Sequence, residues 1–244
     1  MVQFLTINQS IAQLSHDLPI ITLEQNNDQL NNIIDLVKNV HYYYPTGNFN
    51  LMNNWPGYKV LKEIVDRKIN NECNDSNSVS NRFNSSLINE LPNYIISNHN
   101  HFHFPNYVTI VNIGNNDYQH INHVYYLQIT VSLLCDYYTI FFVDEYRFRS
   151  FVSQKHFTSM HSIYSFADSV SRYDARITKI IEEEVKLFLP EKRFIYHEPL
   201  FKTQIAACVP FGEDWSPNSN ENSYSLFELL FNYSGRANSL EVIG

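Results

Sequence analysis

The segment VYYLQITVSLLCDYYTIFFV, residues 124–143, decides how this chain folds. It is long enough to cross a membrane as a helix. However, Gln128, Thr130 and Asp136 interrupt the apolar run, and most of its other residues are β-branched or aromatic, which favours strands. The segment therefore predicts two strands that meet near Asp136, and a membrane helix is the less favoured interpretation.

A further strand is predicted immediately before this pair. Residues 107–113, YVTIVNI, are rich in β-branched side chains, and the Gly-Asn-Asn-Asp sequence at 114–117 is a strong turn signal. Because sequential strands joined by short turns usually pair with each other, we expect residues 107–113, 123–135 and 137–149 to form adjacent antiparallel strands.

Helices are predicted on both sides of this strand region in the sequence, because apolar residues recur there at three- and four-residue steps. The intervening residues 70–86 are rich in Asn and Ser, which predicts a polar surface loop. Near the end of the chain, residues 194–209 predict one or two strands and residues 224–231 a short helix or strand. The helical pattern covers residues 28–44, a segment from Pro56 to about residue 69, a short stretch at 87–95, and residues 173–188 before Pro190.

The order of these elements predicts an α+β fold, in which an antiparallel sheet of three or more strands packs with amphipathic helices. We expect residues 1–244 to form a single domain, since 244 residues with 44% hydrophobic content can bury one large core. Within it, residues 1–98 are predicted to be the helical part and residues 99–244 the part centred on the sheet.

Charge and cysteine content narrow the possible partners and the compartment. The 25 acidic and 17 basic residues give a formal net charge of −8, which disfavours nucleic acid and favours a basic partner. The N-terminus lacks the pattern of a signal peptide, and the cysteines, Cys73, Cys135 and Cys208, are odd in number and widely spaced. We therefore expect a cytoplasmic protein with reduced thiols and no membrane association.

Sequence motifs for common cofactors and hydrolytic sites are absent. The 6 glycines never cluster, so neither a dinucleotide-binding nor a phosphate-binding loop can be written. The chain also lacks G-x-S-x-G and H-E-x-x-H motifs. We therefore predict no cofactor and no enzymatic activity.

Histidines provide the main alternative. His99, His101 and His103 alternate in sequence, and His120 and His123 follow, so that neutral imidazoles from the two groups could complete a zinc or iron site. A metal-dependent enzyme that uses His101, His103, His120 and His123 is thus the alternative function. The favoured interpretation is a loop without metal in which the histidines are exposed or bond to backbone, because acidic ligands at familiar spacing are missing.

Cys135 provides a second catalytic alternative. A thiol beside Asp136 could act as a nucleophile if His120 or His161 served as its base. A free cysteine next to leucines is more typical of a protein core.

Aromatic residues provide the positive functional signal. Phe, Tyr and Trp make up 15% of the chain, including 17 tyrosines, and consecutive tyrosines on one element cannot all face inward. Exposed Tyr and Trp often anchor protein interfaces, while carboxylates steer a basic partner toward them. The predicted partner-binding residues are Tyr42, Tyr43, Tyr44, Trp55, Asp144, Glu145, Asp214 and Trp215.

Three segments of the chain, VSLLCDYYTIFFVDEYRF (131–148), ITKIIEEEVKLFLPEKRF (177–194) and SYSLFELLF (223–231), resemble immunity proteins encoded beside bacterial polymorphic toxins. The resemblance implies a small, acidic cytosolic protein that covers a cognate toxin, and it identifies no particular functional residue. We therefore expect a non-enzymatic protein that neutralises a toxin by stoichiometric binding. A structural or assembly protein of a phage or mobile element is the other alternative.

Overall fold

A six-stranded, mostly antiparallel sheet organises the part of the chain that the structure describes. In the computed structural model this part comprises residues 3–5, 21–23, 27–45, 54–75, 77–100, 103–118, 121–153, 156–168, 175–206, 210–211 and 223–231. Helices accompany the sheet throughout, so the predicted α+β class is confirmed.

The main sheet consists of five consecutive antiparallel strands and one short parallel strand. The three predicted strands and their antiparallel pairing are confirmed as β4 (Asn106–Tyr118), β5 (Ile121–Ser132) and β6 (Tyr137–Ser153). The turn predicted at 114–117 is wrong, because these residues continue β4 and pair with β5 after a bulge. Strands β3 (Ile95–Asn98) and β7 (His156–Asp168) extend the sheet on either side and were not predicted, and β3 lies within the part of the chain that was expected to be helical. The order is β3–β4–β5–β6–β7, with β8 (Arg193–Phe194) parallel to β6.

Six helices and two small strand pairs complete the described elements. The helices are α1 (Asn27–Tyr43), α2 (Pro56–Asn74), α3 (Val79–Glu90), α4 (Ala175–Phe188), α5 (His197–Lys202) and α6 (Leu226–Leu230). The pairs are β1 (Gln3–Leu5) with β2 (Ile21–Leu23), and β9 (Gln204–Ala206) with β10 (Ser223–Ser225). The predicted helices at 28–44, from Pro56 and at 173–188 are present as α1, α2 and α4, and proline occupies the first turn of α2, where it is well tolerated.

The predicted polar loop at 70–86 is wrong. Helix α2 continues to Asn74, and α3 begins at Val79 after a short break. The polar residues are compatible with helix because Ser78 caps α3 by accepting a hydrogen bond from the Asn81 amide. Farther along α3, the buried Asn84 side chain accepts a hydrogen bond of 2.7 Å from Thr109.

Helices cover both faces of β5 and β6, so the structure has three layers. On one face, Leu127 and Ile140 pack in a core with α3 and α4. On the other face, Tyr126 and Phe141 pack in a second core with α1, α2, α5 and α6. Strands that are buried on both faces carry nearly continuous apolar sequence, which explains the long apolar run at 124–143.

The segment at 124–143 also contains buried polar residues and a turn. The buried Gln128 amide donates a hydrogen bond of 3.1 Å to the Thr130 hydroxyl, so each satisfies the other within the layer. The chain turns back at residues 133–136, and within the described residues no helix has the length and apolar content to cross a membrane.

Lys68 is a buried cation where α2 meets the start of β4. Its ammonium donates a hydrogen bond of 2.9 Å to the Phe104 carbonyl and lies 5.5 Å from the centre of the Tyr107 ring. Burial lowers the pKa of Lys68 from 10.5 to about 8, although the Glu72 carboxylate opposes this change. For the charged form, this pKa difference corresponds to a cost of roughly 3 kcal/mol.

We expect the Lys68→Met variant to be more stable than the wild type, and we expect this difference in stability to be largest at low pH. The unfolded wild type retains the lysine proton up to about pH 10.5, whereas the folded protein loses it near pH 8, so wild-type stability rises across this interval. The difference in unfolding free energy between the variant and the wild type should therefore shift by about 3 kcal/mol from pH 7 to 10.5, in favour of the wild type. Urea denaturation at both pH values measures this shift, and the Lys59→Met variant, which removes an exposed lysine of the same helix, is the control. Parallel pH profiles for Lys68→Met and the wild type would refute the expectation.

Candidate binding surface

The end of α1 and the start of α2 hold three predicted partner-binding residues together. Tyr42 is 54% exposed, and Tyr43 and Trp55 are half-buried. The Trp55 indole donates a hydrogen bond of 2.8 Å to the Tyr42 carbonyl, and the Tyr42 and Tyr43 rings lie edge to face with centres 4.9 Å apart. We call Tyr42, Tyr43 and Trp55 the aromatic edge.

Close contact between the two helices shapes this surface. A Cβ atom on Gly57 would lie 1.7 Å from the Tyr42 carbonyl oxygen, much less than a van der Waals contact. Since the obstacle is backbone, it cannot move aside by a change of rotamer. Gly57 therefore allows α2 to begin directly against the end of α1.

Tyr44 does not belong to the surface, which corrects its assignment as a partner-binding residue. Its side chain is fully buried, and its hydroxyl donates a hydrogen bond of 2.8 Å to the Leu229 carbonyl at the end of α6. The carbonyls of Leu230 and Phe231 accept hydrogen bonds from Ser132 and Asn106, respectively. Tyr44 is thus one of three side chains that satisfy the terminal carbonyls of a buried helix.

A polar cleft of about 230 Å³ adjoins the aromatic edge. Helix α1, the β5–β6 turn and the chain just before β8 form its walls, and Tyr43 belongs to both the cleft and the edge. Its lining includes Asp35, Asn39, Tyr43, Asp136, Tyr137 and Arg193.

Both cations of the cleft contact other groups of the protein. Arg193 lies 3.8 Å from the Asp35 carboxylate, and its guanidinium is 4.5 Å from the centre of the Tyr137 ring. The Lys192 ammonium donates a hydrogen bond of 2.8 Å to the Cys135 carbonyl. Asp136 is exposed in the turn and forms no ion pair within the described residues.

The Tyr43 hydroxyl is a hydrogen-bond donor at neutral pH. Burial raises the pKa of Tyr43, and the neighbouring Tyr42, Cys135 and Asp136 raise it further. The cleft therefore offers a phenol donor beside a carboxylate acceptor, an arrangement suited to polar recognition.

Asp144 and Glu145 do not form an exposed acidic patch, contrary to prediction. Both are buried on β6. Asp144 lies 2.7 Å from His123 Nε2, and Glu145 accepts two hydrogen bonds of 2.8 Å from Arg147. Because buried charges require partners, these carboxylates compensate internal cationic and polar groups, so the prediction that they steer a partner is wrong.

The histidine metal site considered as the alternative is not assembled in the described part of the chain, where no three His, Cys, Asp or Glu side chains could hold a metal ion together. His99 is exposed and lies 3.1 Å from the Ser97 hydroxyl, and His103 is also exposed. The His123 ring stacks on Tyr146 with centres 4.3 Å apart. Outside the described residues lie His101 and His120, together with the predicted partner-binding residues Asp214 and Trp215.

In comparisons with known proteins, no family model, curated protein or solved structure matches the chain. Sequence reasoning identified the aromatic edge but missed the polar cleft, because Asp35 and Arg193 are far apart in sequence and meet where α1 packs beside the paired β6 and β8 strands.

We expect Gly57→Ala to destabilise the protein by about 2 kcal/mol or more, because the added methyl group would overlap the Tyr42 carbonyl. Alanine has the higher helix propensity, so without this overlap the change would be neutral or stabilising. Urea denaturation of the variant measures the cost. The exposed Lys59→Ala variant on the same helix should stay within about 0.5 kcal/mol of the wild type, and an equally stable Gly57→Ala protein would disprove the close contact.

Cys135 should be an unreactive thiol in the folded protein. Burial raises its pKa from 9.0 to about 11, so about a hundredfold less thiolate is present at pH 8. Iodoacetamide should alkylate Cys135 at least about a hundredfold faster in guanidinium than in buffer, as measured by peptide mass spectrometry. Rapid alkylation of the folded protein would instead support the nucleophile alternative.

Proposed function

We propose that this protein is a non-enzymatic binding protein, and specifically an immunity protein that neutralises a cognate bacterial toxin by stoichiometric binding. The aromatic edge is the observation that carries the proposal. The resemblance of residues 131–148, 177–194 and 223–231 to immunity proteins supplies the more specific class.

The aromatic edge has the physical properties of an interface anchor. Its rings offer large amphipathic surfaces, and Tyr42 exposes more than half of its area in the absence of a partner. The Trp55 hydrogen bond and the contact between Tyr42 and Tyr43 hold these groups in place before binding. A partner that covers the edge therefore gains apolar contact with little loss of side-chain entropy.

Electrostatics favours a basic partner. With Asp144 and Glu145 buried, long-range attraction arises from the net charge of −8 as a whole, not from one acidic patch. Such attraction mainly accelerates encounter, whereas the aromatic contacts slow dissociation. The proposed compartment is the cytoplasm, with which the free thiol of Cys135 is compatible.

The proposal predicts that a toxin is retained through the aromatic edge. Wild-type protein isolated from its source organism should carry a partner at a stoichiometric level. Expression of that partner alone should arrest growth, and co-expression of the wild-type chain should restore it. Tyr42→Ala combined with Trp55→Ala should weaken the purified complex by at least about thirtyfold, which corresponds to roughly 2 kcal/mol.

Tyr118→Ala provides the matched control, because Tyr118 is 58% exposed but lies on β4, away from the aromatic edge. This variant should bind the partner and restore growth as well as the wild type does. A partner that is harmless on its own would refute the immunity function. Undiminished affinity of the double variant would refute the role of the aromatic edge.

A further inference from the structure

The polar cleft has the size of a site for one side chain. Its volume of about 230 Å³ lies below the roughly 300 to 1,000 Å³ of pockets that enclose drug-sized ligands. It opens beside Tyr43, so a group that enters it belongs to the same contact area as one that covers the aromatic edge. A protein partner can fill such a cleft by inserting a single residue.

The charges of the cleft indicate which residue this is. Lys192 is bound to the Cys135 carbonyl, and Arg193 lies over Tyr137 near Asp35. Asp136 is the charged side chain of the lining that forms neither a hydrogen bond nor an ion pair within the described residues. The cleft therefore contains one carboxylate that can pair with an incoming cation without losing an existing contact.

The aromatic wall has the same preference. Tyr43 lines the cleft on the side of the aromatic edge, and Arg and Lys side chains bind favourably over tyrosine rings. The Asp35–Arg193 pair leaves room for rearrangement, because its distance of 3.8 Å is long and both side chains are about half-exposed.

We infer that the polar cleft is a socket for one basic side chain, an arginine or lysine of the protein partner, whose charge pairs with Asp136 while its stem lies against Tyr43. This inference rests on the proposed function, and it specifies the chemistry of the partner at the centre of the contact. An acidic side chain is the alternative guest. It would have to share Lys192 with the Cys135 carbonyl or Arg193 with Asp35, and it would bring a third carboxylate next to Asp35 and Asp136.

The socket can be tested without the partner. The probes are N-acetyl-arginine methylamide and, as the acidic control, N-acetyl-glutamate methylamide, each titrated into the full ¹⁵N-labelled chain and followed by amide chemical shifts. We expect the arginine probe to give saturable shifts at the β5–β6 turn and at Tyr43, with a dissociation constant of roughly 1 to 10 mM, as suits a ligand of this size. The glutamate probe should give no saturable shift there.

Asp136→Asn should weaken binding of the arginine probe at least tenfold, while leaving amide shifts away from the turn unchanged. Glu90→Gln is the matched control, since it removes one negative charge from an exposed position on α3, beyond the opposite face of the sheet, and should bind as the wild type does. Three results would each overturn the socket. The first is equal binding of the arginine probe by Asp136→Asn and the wild type, and the second is saturable binding of the glutamate probe at the same residues. The third is the absence of a saturable shift when the arginine probe is present at about ten times the expected dissociation constant.

The outcomes for the socket and for the proposed function can be distinguished. If the aromatic-edge variant loses a toxin but the arginine probe does not bind at Asp136, the socket is wrong and the proposed function stands. If the probe binds in an Asp136-dependent manner but the retained partner is harmless, the socket stands and the immunity function is wrong.

Discussion

Burial of β5 and β6 on both faces is the constraint on which the rest of the structure depends. Side chains from these strands contribute to two cores, and both strand faces need a helical cover. Helices α3 and α4 provide it on one side, and α1, α2, α5 and α6 on the other. Because alternate residues of a strand point to opposite faces, nearly every position from 124 to 143 must be apolar or satisfied by a neighbour, as Gln128 is by Thr130.

This arrangement places the available binding chemistry at the boundaries of the layers. The centre of the sheet is covered, so its strands offer little surface to a partner, whereas the junction of α1 with α2 leaves an aromatic group partly exposed. The same junction adjoins the β5–β6 turn, where the chain leaves one buried strand and enters the next. The aromatic edge and the polar cleft are therefore neighbours because of the order of the layers, and not because of their positions in sequence.

The local parts of this structure could be predicted from sequence, and the non-local parts could not. Apolar periodicity located α1, α2 and α4, and the segments rich in β-branched and aromatic residues located β4, β5 and β6, although β4 continues through the predicted turn at 114–117. Residues 70–86 misled the prediction because Asn and Ser favour loops on average, but here Ser78 caps a helix and Asn84 bonds to a strand of the sheet. Likewise, consecutive tyrosines gave no indication that Tyr42 is exposed and Tyr44 buried, since this difference depends on where α1 ends against α6.

The acidic residues show how topology assigns roles to chemically equal groups. Asp144 and Glu145 lie on a strand covered from both sides, where an unpaired carboxylate would be costly, so His123 and Arg147 accompany them. Asp136 lies only eight positions earlier in sequence but in the turn, where solvent reaches its carboxylate and removes the need for an internal partner. A charge that a protein can leave unpaired is one that it can offer to another molecule, because binding then does not require an existing ion pair to be broken. In this fold, turns and helix junctions are therefore the sites where acidic residues remain available for recognition.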